Sequence, residues 1–417
     1  MRFLQGVLGF VLLAASLHSA EPDALAIEAS ILARHMPFGT ILNPILSADG
    51  KTVVGYTRCG DSAIWTGHYL AAEAFRYKVT LAPDALANVR TALNGLTLLT
   101  DITGINLLAR CAVPADSPFA AGITSEEKNN GIHPATVNGK SWSWIGNTSR
   151  DQYIGVFFGL GAAYDLISDT AIRASISTLA SRLLDHLLQT GWTVFMPDGT
   201  ISTTFLQRPD QQLALLQIGR HVNPGEFSQE YSRDSGALQI LVPVPLGVDA
   251  ADDHSSYFKF NLDFDNLYNL IRLEDSGTAK ALYEKGFNLV RSTTDNHLNP
   301  HFNMIDRALH GANATRDAET RADLDAWLKR PRTDVFVDLR STVAVCGTEA
   351  CRPIPVEQRP PSDFLWQLDP FQLTGGGGGI IETAGIDYIL PYWMARYLNV
   401  IQEPLVIPTV RDPRKGH

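Results

Sequence analysis

The stretch SRDQYIGVFFGLGAAYDLISDTAIRASISTLASRLLDHLL, residues 149–188, contains two helical patterns of different character. Residues 153–167 are apolar almost without interruption, and Gly155, Gly159 and Gly161 leave room for close contact with a neighbouring helix. The second pattern places apolar residues at helical spacing with polar residues between them, at Ile172, Ile176, Leu179, Leu183 and Leu187. A helix that is apolar all round must be buried all round, whereas an amphipathic helix suits an outer layer.

This alternation of an apolar and an amphipathic helix recurs along the chain. The predicted pairs are 61–79 with a helix beginning at Pro83, 153–167 with the helix that follows it, 209–221 with 226–242, 255–273 with 277–293, and 298–310 with 317–329. A first helix, at about 24–35, and a last helix, at about 387–398, supply a sixth pair that closes a ring. Links within pairs are short, whereas the links at 102–148, 190–207 and 330–380 are long. Because paired helices are antiparallel, the long links are expected to share one face.

This architecture resembles the (α/α)6 toroid, the six-hairpin fold of many glycoside hydrolases and polysaccharide lyases. The resemblance implies an all-α fold of two concentric helical rings, forming one domain over residues 21–417. Hairpin signals at Asp49-Gly50 and Pro197-Asp198-Gly199 add small β-hairpins to the long loops on one face. An α-solenoid or an irregular helical domain is the structural alternative.

Polar and aromatic residues gather where the apolar helices begin, on the face of the long loops. Asp and Ser at such positions are more often helix caps than functional groups. Capping does not account for the histidines or for the aromatic residues among the acids. Aromatic faces beside hydrogen-bonding groups are typical of a sugar-binding site. The predicted substrate-binding residues are Trp65, His68, Tyr69, Trp144, Arg150, Gln152, His254, Tyr257, Asp387 and Tyr388.

The resulting hypothesis is a secreted carbohydrate-active enzyme, most simply a glycoside hydrolase. Hydrolysis of a glycosidic bond requires one protonated and one ionised carboxyl group, and we predict that Asp61 and Asp151 form this pair. An alternative is a lyase or epimerase acting on uronic acids, with His254, Tyr257 or Tyr69 in proton transfer and Arg150 or Arg396 on the sugar carboxylate. A non-catalytic envelope or binding protein on the same scaffold is the third possibility.

Composition narrows the classes of partner. The chain has 417 residues, of which 45% are hydrophobic, and a formal net charge of −10. No basic stripe favours nucleic acid, and the expected partner is a carbohydrate. Residues 1–20 resemble a signal peptide, and no later segment is apolar for long enough to span a bilayer. We therefore expect an exported protein without an integral membrane segment, and we expect neither a cofactor nor a metal.

The four cysteines suit an oxidising compartment. Cys59 precedes the first apolar helix and Cys111 follows its amphipathic partner, so an antiparallel hairpin brings the two to one side. We predict a Cys59–Cys111 disulfide and a local Cys346–Cys351 disulfide. Buried free thiols are the alternative.

Two further features of the sequence are a run of glycines and a pair of aspartates within one helical segment. Residues 375–379 are five consecutive glycines without the lysine and preceding strand of a phosphate-binding loop, which favours a mobile flap or a linker. Asp263 and Asp265 lie in an aromatic helical segment, where they are either ligands or acids deep in the site, or part of a solvated stripe.

Overall fold

A computed structural model of the chain describes residues 21–402 except residues 253 and 276. The predicted signal peptide, residues 1–20, lies outside the described residues. Fourteen α-helices occur in the described part: α1 (Glu21–Ser30), α2 (Ser62–Thr80), α3 (Pro83–Asp101), α4 (Ala120–Glu126), α5 (Arg150–Leu166), α6 (Thr170–Gln189), α7 (Pro209–Val222), α8 (Pro224–Leu238), α9 (Pro243–Ala250), α10 (Phe258–Arg272), α11 (Thr278–Thr294), α12 (Pro300–His310), α13 (Ala314–Trp327) and α14 (Ile386–Tyr397). The fold is therefore dominated by α-helices, as predicted.

Six of these helices contact one another in a closed order, α2–α5–α7–α10–α12–α14 and back to α2. We call this set the six-helix cycle. Its members are buried over most of their length, as the apolar patterns predicted. Each member also contacts one more exposed helix, and these partners are α3, α6, α8, α11, α13 and α1. The partner is adjacent in the chain in every case except α14, which contacts α1 from the other end of the chain.

Local sequence signals set many helix starts. Proline occupies the first helical position of α3, α7, α8 and α12, where its missing N–H costs nothing. The Asp169 side chain accepts hydrogen bonds from the backbone N–H groups of Ala171 and Ile172 at the start of α6, both at 3.0 Å. Asn313 caps α13 in the same way, so this helix starts at Ala314 and not near residue 317 as predicted. The short helices α4 and α9 were not predicted.

Two glycines bring α2 and α5 into backbone contact. A side-chain carbon on Gly159 would lie 2.1 Å from the carbonyl oxygen of Gly67, and one on Gly155 would lie 2.5 Å from the Ile64 side chain. Only glycine fits at such a separation. The prediction that Gly155 and Gly159 permit close helix contact is confirmed.

The links between helix pairs contain small antiparallel sheets. The strands are β1 (Asn43–Leu46), β2 (Val53–Thr57), β3 (Cys111–Pro114), β4 (Ile132–Val137), β5 (Lys140–Ile145), β6 (Thr193–Phe195), β7 (Ile201–Thr204), β8 (Thr333–Asp338), β9 (Val345–Cys346), β10 (Glu349–Ala350) and β11 (Thr374–Glu382). They pair in the orders β2-β1-β11-β8, β3-β5-β4, β6-β7 and β10-β9. Both predicted hairpins are present, as β1-β2 around Asp49-Gly50 and β6-β7 around Pro197-Asp198-Gly199.

The glycine run 375–379 is not a flap or a linker, because it lies in strand β11. This strand pairs with β8 on one side and with β1 on the other, where Ile45 faces Ile381. Glycine is normally unfavourable in a strand. Here the register shifts at Gly377 and Gly378, and Gly376 has φ +91°, with the Val335 carbonyl 2.3 Å from the place of its absent side chain. The run therefore permits a bulged strand to lie close to its neighbour.

Candidate functional site

Asp61 and Asp151 line one cavity of about 170 Å³ where α2 and α5 begin. Asp61 ends the short 3-10 turn before α2, and Asp151 lies in the first turn of α5. The remaining lining residues are Ile64, Trp65, Phe258 and Gln367. The two predicted catalytic carboxylates therefore share a cavity because the helices that carry them touch.

Arg110 connects the loops that carry these two acids. Its Nη1 donates to the carbonyl oxygen of Gly60 at 2.9 Å and lies 3.7 Å from an Asp61 carboxylate oxygen. Its Nη2 donates to the Ser149 hydroxyl at 2.7 Å, and Ser149 in turn donates to the Asp151 carboxylate. One guanidinium thus holds both acids, one directly and one through a serine.

The predicted Cys59–Cys111 disulfide is present, with the two Cα atoms 5.5 Å apart. It joins the residue two positions before Asp61 to the residue directly after Arg110. The bond therefore fixes the distance between the backbone segments that carry this ion pair. The predicted Cys346–Cys351 disulfide is also present, and the described residues include no free cysteine.

The side chain of Gln152, in the first turn of α5, connects this helix to the start of α2. Its Oε1 accepts from the backbone N–H of Ile64 at 3.0 Å, and its Nε2 donates to Asp61 at 3.2 Å. The side chain is fully buried. Gln152 therefore positions Asp61 from the neighbouring helix and is not placed to contact a substrate directly.

The environment of Asp61 favours its protonated form. Desolvation by the surrounding protein raises the pKa of Asp61 to about 6, and the negative charges of Asp151 and Asp363 act in the same direction. The positive charges of Arg110 and Arg58 oppose this rise. The carboxyl group is nevertheless 36% exposed, so it faces the cavity. A carboxyl group of this kind can donate a proton near neutral pH.

A second cavity, of about 890 Å³, adjoins the first through shared lining by Phe258 and Gln367. We call the two cavities together the cleft. The second cavity contains His254, whose Nδ1 lies 3.0 Å from a Glu349 oxygen and 3.6 Å from an Asp369 oxygen. The cleft therefore extends from Asp61 and Asp151 to a group of titratable residues in the link 330–380.

Several predicted binding residues lie in the interior and not at the cleft. His68, Tyr69, Asp387 and Tyr388 are at most 2% exposed. Asp387 accepts hydrogen bonds from the Trp327 indole at 3.0 Å and from the Leu365 backbone N–H at 3.1 Å, which makes it a structural acceptor. Trp144 is 3% exposed and stacks on His133 at a ring distance of 4.1 Å. Other protein groups surround these side chains, so they are not available to contact a sugar.

The remaining predicted residues differ in where they lie relative to the cleft. Tyr257 lines the larger cavity, but it is 4% exposed, and its hydroxyl is hydrogen-bonded to His297 at 2.9 Å. Arg150 donates to the carbonyl oxygen of Thr204 at 3.1 Å, beside the start of α5. Arg396 lies in the last turn of α14 and binds Glu21 at 2.8 Å, at the opposite end of its helix from the N-terminus.

Sequence reasoning missed Phe258, Glu349, Asp363 and Gln367. Phe258 is 48% exposed and lines both cavities, which makes it the most accessible aromatic surface of the cleft. Its position near the start of the predicted helix 255–273 could have indicated this role. The other three come from the Pro-rich link 330–380, whose path depends on contacts distant in sequence.

Two groups among the described residues bring metal-ligating atoms together, His68 with Asp265 and His301, and His254 with Glu349 and Asp369. In each group the atoms lie within 4.8 Å of one another. Across residues 21–402, leaving out 253 and 276, no helix has the length and apolar character that crossing a membrane requires. Comparison of the chain with protein-family models, with curated proteins and with solved structures gave no match.

Proposed function

We propose that this protein is an exported glycoside hydrolase, with Asp61 as general acid and Asp151 as its ionised partner. The observation that carries the proposal is a pair of carboxyl groups lining one cavity, one of them with its pKa raised to about 6. Glycoside hydrolysis uses such a pair, one protonated and one ionised. The two disulfides are compatible with an exported protein.

Asp151 receives the ionised role because of its hydrogen-bond donors. Its Oδ1 accepts from the Ser149 hydroxyl and, at 2.9 Å, from the backbone N–H of Gln152. A carboxylate oxygen held by two donors stays in place to activate water or to attack the sugar. Asp61, by contrast, delivers its proton to the leaving oxygen of the glycosidic bond.

We also propose that the six-helix cycle is the inner ring of an (α/α)6 toroid. The closed order of contacts and the more exposed partner helix of each member support this arrangement. The cleft then lies at the end of the ring where the helices begin. A cavity of about 890 Å³ beside the paired acids suits an oligosaccharide, with Phe258 offering a flat apolar face to one sugar ring.

The test is a panel of oligo- and polysaccharides assayed for new reducing ends with the wild-type protein, Asp61→Asn, Asp151→Asn and Asp169→Asn. Each of the first two variants should lose ~10²–10⁴-fold in turnover while keeping its melting temperature. Asp169→Asn is the matched control, because Asn caps a helix as well as Asp and Asp169 caps α6 without lining either cavity.

Unchanged turnover in Asp61→Asn and Asp151→Asn would reject the assignment of these residues. Products that absorb in the ultraviolet, formed without hydrolysis, would instead indicate elimination by a lyase. Binding of a sugar without any turnover would indicate a non-catalytic protein.

A further inference from the structure

Three polar residues from three members of the six-helix cycle meet in the interior. His68 comes from α2, Asp265 from α10 and His301 from α12, and all three have no solvent exposure. The Nε2 atom of His68 lies 3.1 Å from one Asp265 oxygen, and the Nε2 atom of His301 lies 3.2 Å from the other. Burying charged groups in this way is costly unless each is matched by a partner.

The hydrogen bonding of His68 directs its second ring nitrogen at a carboxylate. Its Nδ1 lies 2.9 Å from the carbonyl oxygen of Ile64, which can only accept, so Nδ1 carries the proton. In the neutral ring, Nε2 then presents its lone pair to Asp265. A positive charge between these two atoms, from a second proton on the ring or from a metal ion, would satisfy both. Histidine ligands of metals commonly donate their other ring N–H to a backbone carbonyl in this manner.

A fourth polar side chain points at the same place. Asn261 is fully buried, and its Oδ1 has no hydrogen-bond partner among the described residues. Its Nδ2 lies 3.5 Å from both the Nε2 of His68 and an Asp265 oxygen. The two ends of a side-chain amide exchange by rotation about one bond. After that rotation the unpartnered oxygen faces His68 and Asp265 as a neutral ligand.

We propose that His68, Asp265 and His301 bind one divalent transition-metal ion, zinc in the first place, with Asn261 supplying a fourth ligand. Imidazole and carboxylate ligands suit zinc. The two Nε2 atoms lie 3.1 and 3.2 Å from different oxygens of Asp265, and the ligand atoms of the three residues lie within 4.8 Å of one another. Small side-chain movements would bring them to the separation of about 3.3 Å that a tetrahedral ion requires. This inference replaces the expectation that the protein has no metal site, and it does not depend on the proposed hydrolase activity.

The surroundings indicate a structural ion and not a catalytic one. Aromatic rings enclose His68, with Trp65 at 5.2 Å, Phe158 at 5.4 Å and Phe364 at 5.1 Å between ring centres. Structural zinc sites are closed in this way, whereas catalytic sites keep a position open for water. The ion would join α2, α10 and α12 beside Trp65, whose ring contacts His68, and Trp65 lines the cavity that contains Asp61 and Asp151. The site would thereby stabilise the floor of the cleft.

The experiment measures metal binding by the untagged full-length protein after removal of metal with a chelator. Titration with Co²⁺ should give one equivalent of tightly bound ion. The bound Co²⁺ should show visible d–d bands, which disappear when zinc replaces it. The bands should disappear in His301→Gln and persist in His254→Gln, which alters the other candidate cluster. Lack of stoichiometric Co²⁺ binding by the wild-type protein would overturn the proposal, as would loss of binding in His254→Gln alone.

A second measurement covers the case in which His301→Gln does not fold. The melting temperature of the wild-type protein and of His254→Gln should rise by several degrees when zinc is restored to the metal-free protein. An unchanged melting temperature in both would overturn the proposal. Neither readout uses enzymatic activity, so failure of the hydrolase assay leaves the result intact.

Discussion

The carbonyl oxygen of Gly155 lies 2.2 Å from the position that a side-chain carbon of Gly67 would occupy. Helices α2 and α5 therefore meet through bare backbone, closer than any other residue would allow. Each helix begins about one or two turns before this contact, with Asp61 and Asp151 at the two starts. The close approach of the glycines is thus what brings two carboxyl groups from separate helix pairs into one cavity.

Substitution Gly67→Ala should destabilise the protein by ~2 kcal/mol or more, because the added methyl group forces the two backbones apart. Denaturant unfolding measures this change. Gly236→Ala in α8 is the matched control, since nothing lies within 4 Å of its added methyl group. Alanine favours a helix by ~1 kcal/mol over glycine, so the control should be neutral or stabilising. Equal effects of the two substitutions would contradict the account of the α2–α5 contact.

The pH profile of kcat/KM should decline on the alkaline side with an apparent pKa near 6, if Asp61 is the acid. The raised pKa keeps Asp61 protonated below pH 6, and the protonated fraction falls tenfold per pH unit above it. Asp363→Asn removes a negative charge that contributes to this rise, and should move the decline to lower pH. Arg110→Gln should move it to higher pH. A decline that stays in place in both variants would rule out Asp61 as its source.

Removing the Cys59–Cys111 disulfide by a double Cys→Ser change should lower the free energy of unfolding by about 4 kcal/mol. This figure follows from loop-closure entropy for a sequence separation of 52 residues. Removing Cys346–Cys351, with a separation of 5 residues, should cost only about 2 kcal/mol. The first change should also reduce kcat, because it loosens the segments that carry Asp61 and Arg110. A larger loss of stability on removing Cys346–Cys351 than on removing Cys59–Cys111 would contradict this reasoning.

Substitution Phe258→Ala should raise KM for an oligosaccharide about tenfold while kcat changes little, as expected for a contact of equal strength in the ground and transition states. Phe336→Ala is a matched control, because Phe336 is exposed at 59% and is not among the lining residues of either cavity. Steady-state kinetics of the two variants measures the difference. Equal KM values for the two variants would show that Phe258 does not contribute to substrate binding.

The parts of the fold that depend on local pattern were predictable from the sequence. The apolar run at 153–167, the glycines within it and the prolines at helix starts set α5 and the boundaries of several other helices. The pairing of Cys59 with Cys111 followed from the helical hairpin between them. Asp61 and Asp151 were predicted as a pair because each lies where an apolar helix begins, and the structure places both in the lining of one cavity.

The remaining features depend on contacts between distant segments. His68, Asp265 and His301 meet only after three helices pack together, so no spacing in the sequence marks them as a group. The burial of Trp144 against His133 requires the register between β4 and β5. The glycine run became a strand because pairing with β8 satisfies its backbone, which outweighs the weak strand propensity of glycine.

The pairing of β1 with β11 ties the beginning of the described chain to its end, through Ile45 and Ile381. Helix α14 likewise packs against α1 and α2. A nascent chain that stops before residue 374 therefore lacks the contact of α2 with α14, although α2 can already pack against α5. Because contacts over such long separations form late, we expect docking of the C-terminal segment to be the final, rate-limiting folding step. Pulse-labelling hydrogen exchange should show protection of α2 and α14 arising together, after protection of α6 and α11; earlier protection of α14 would exclude this order.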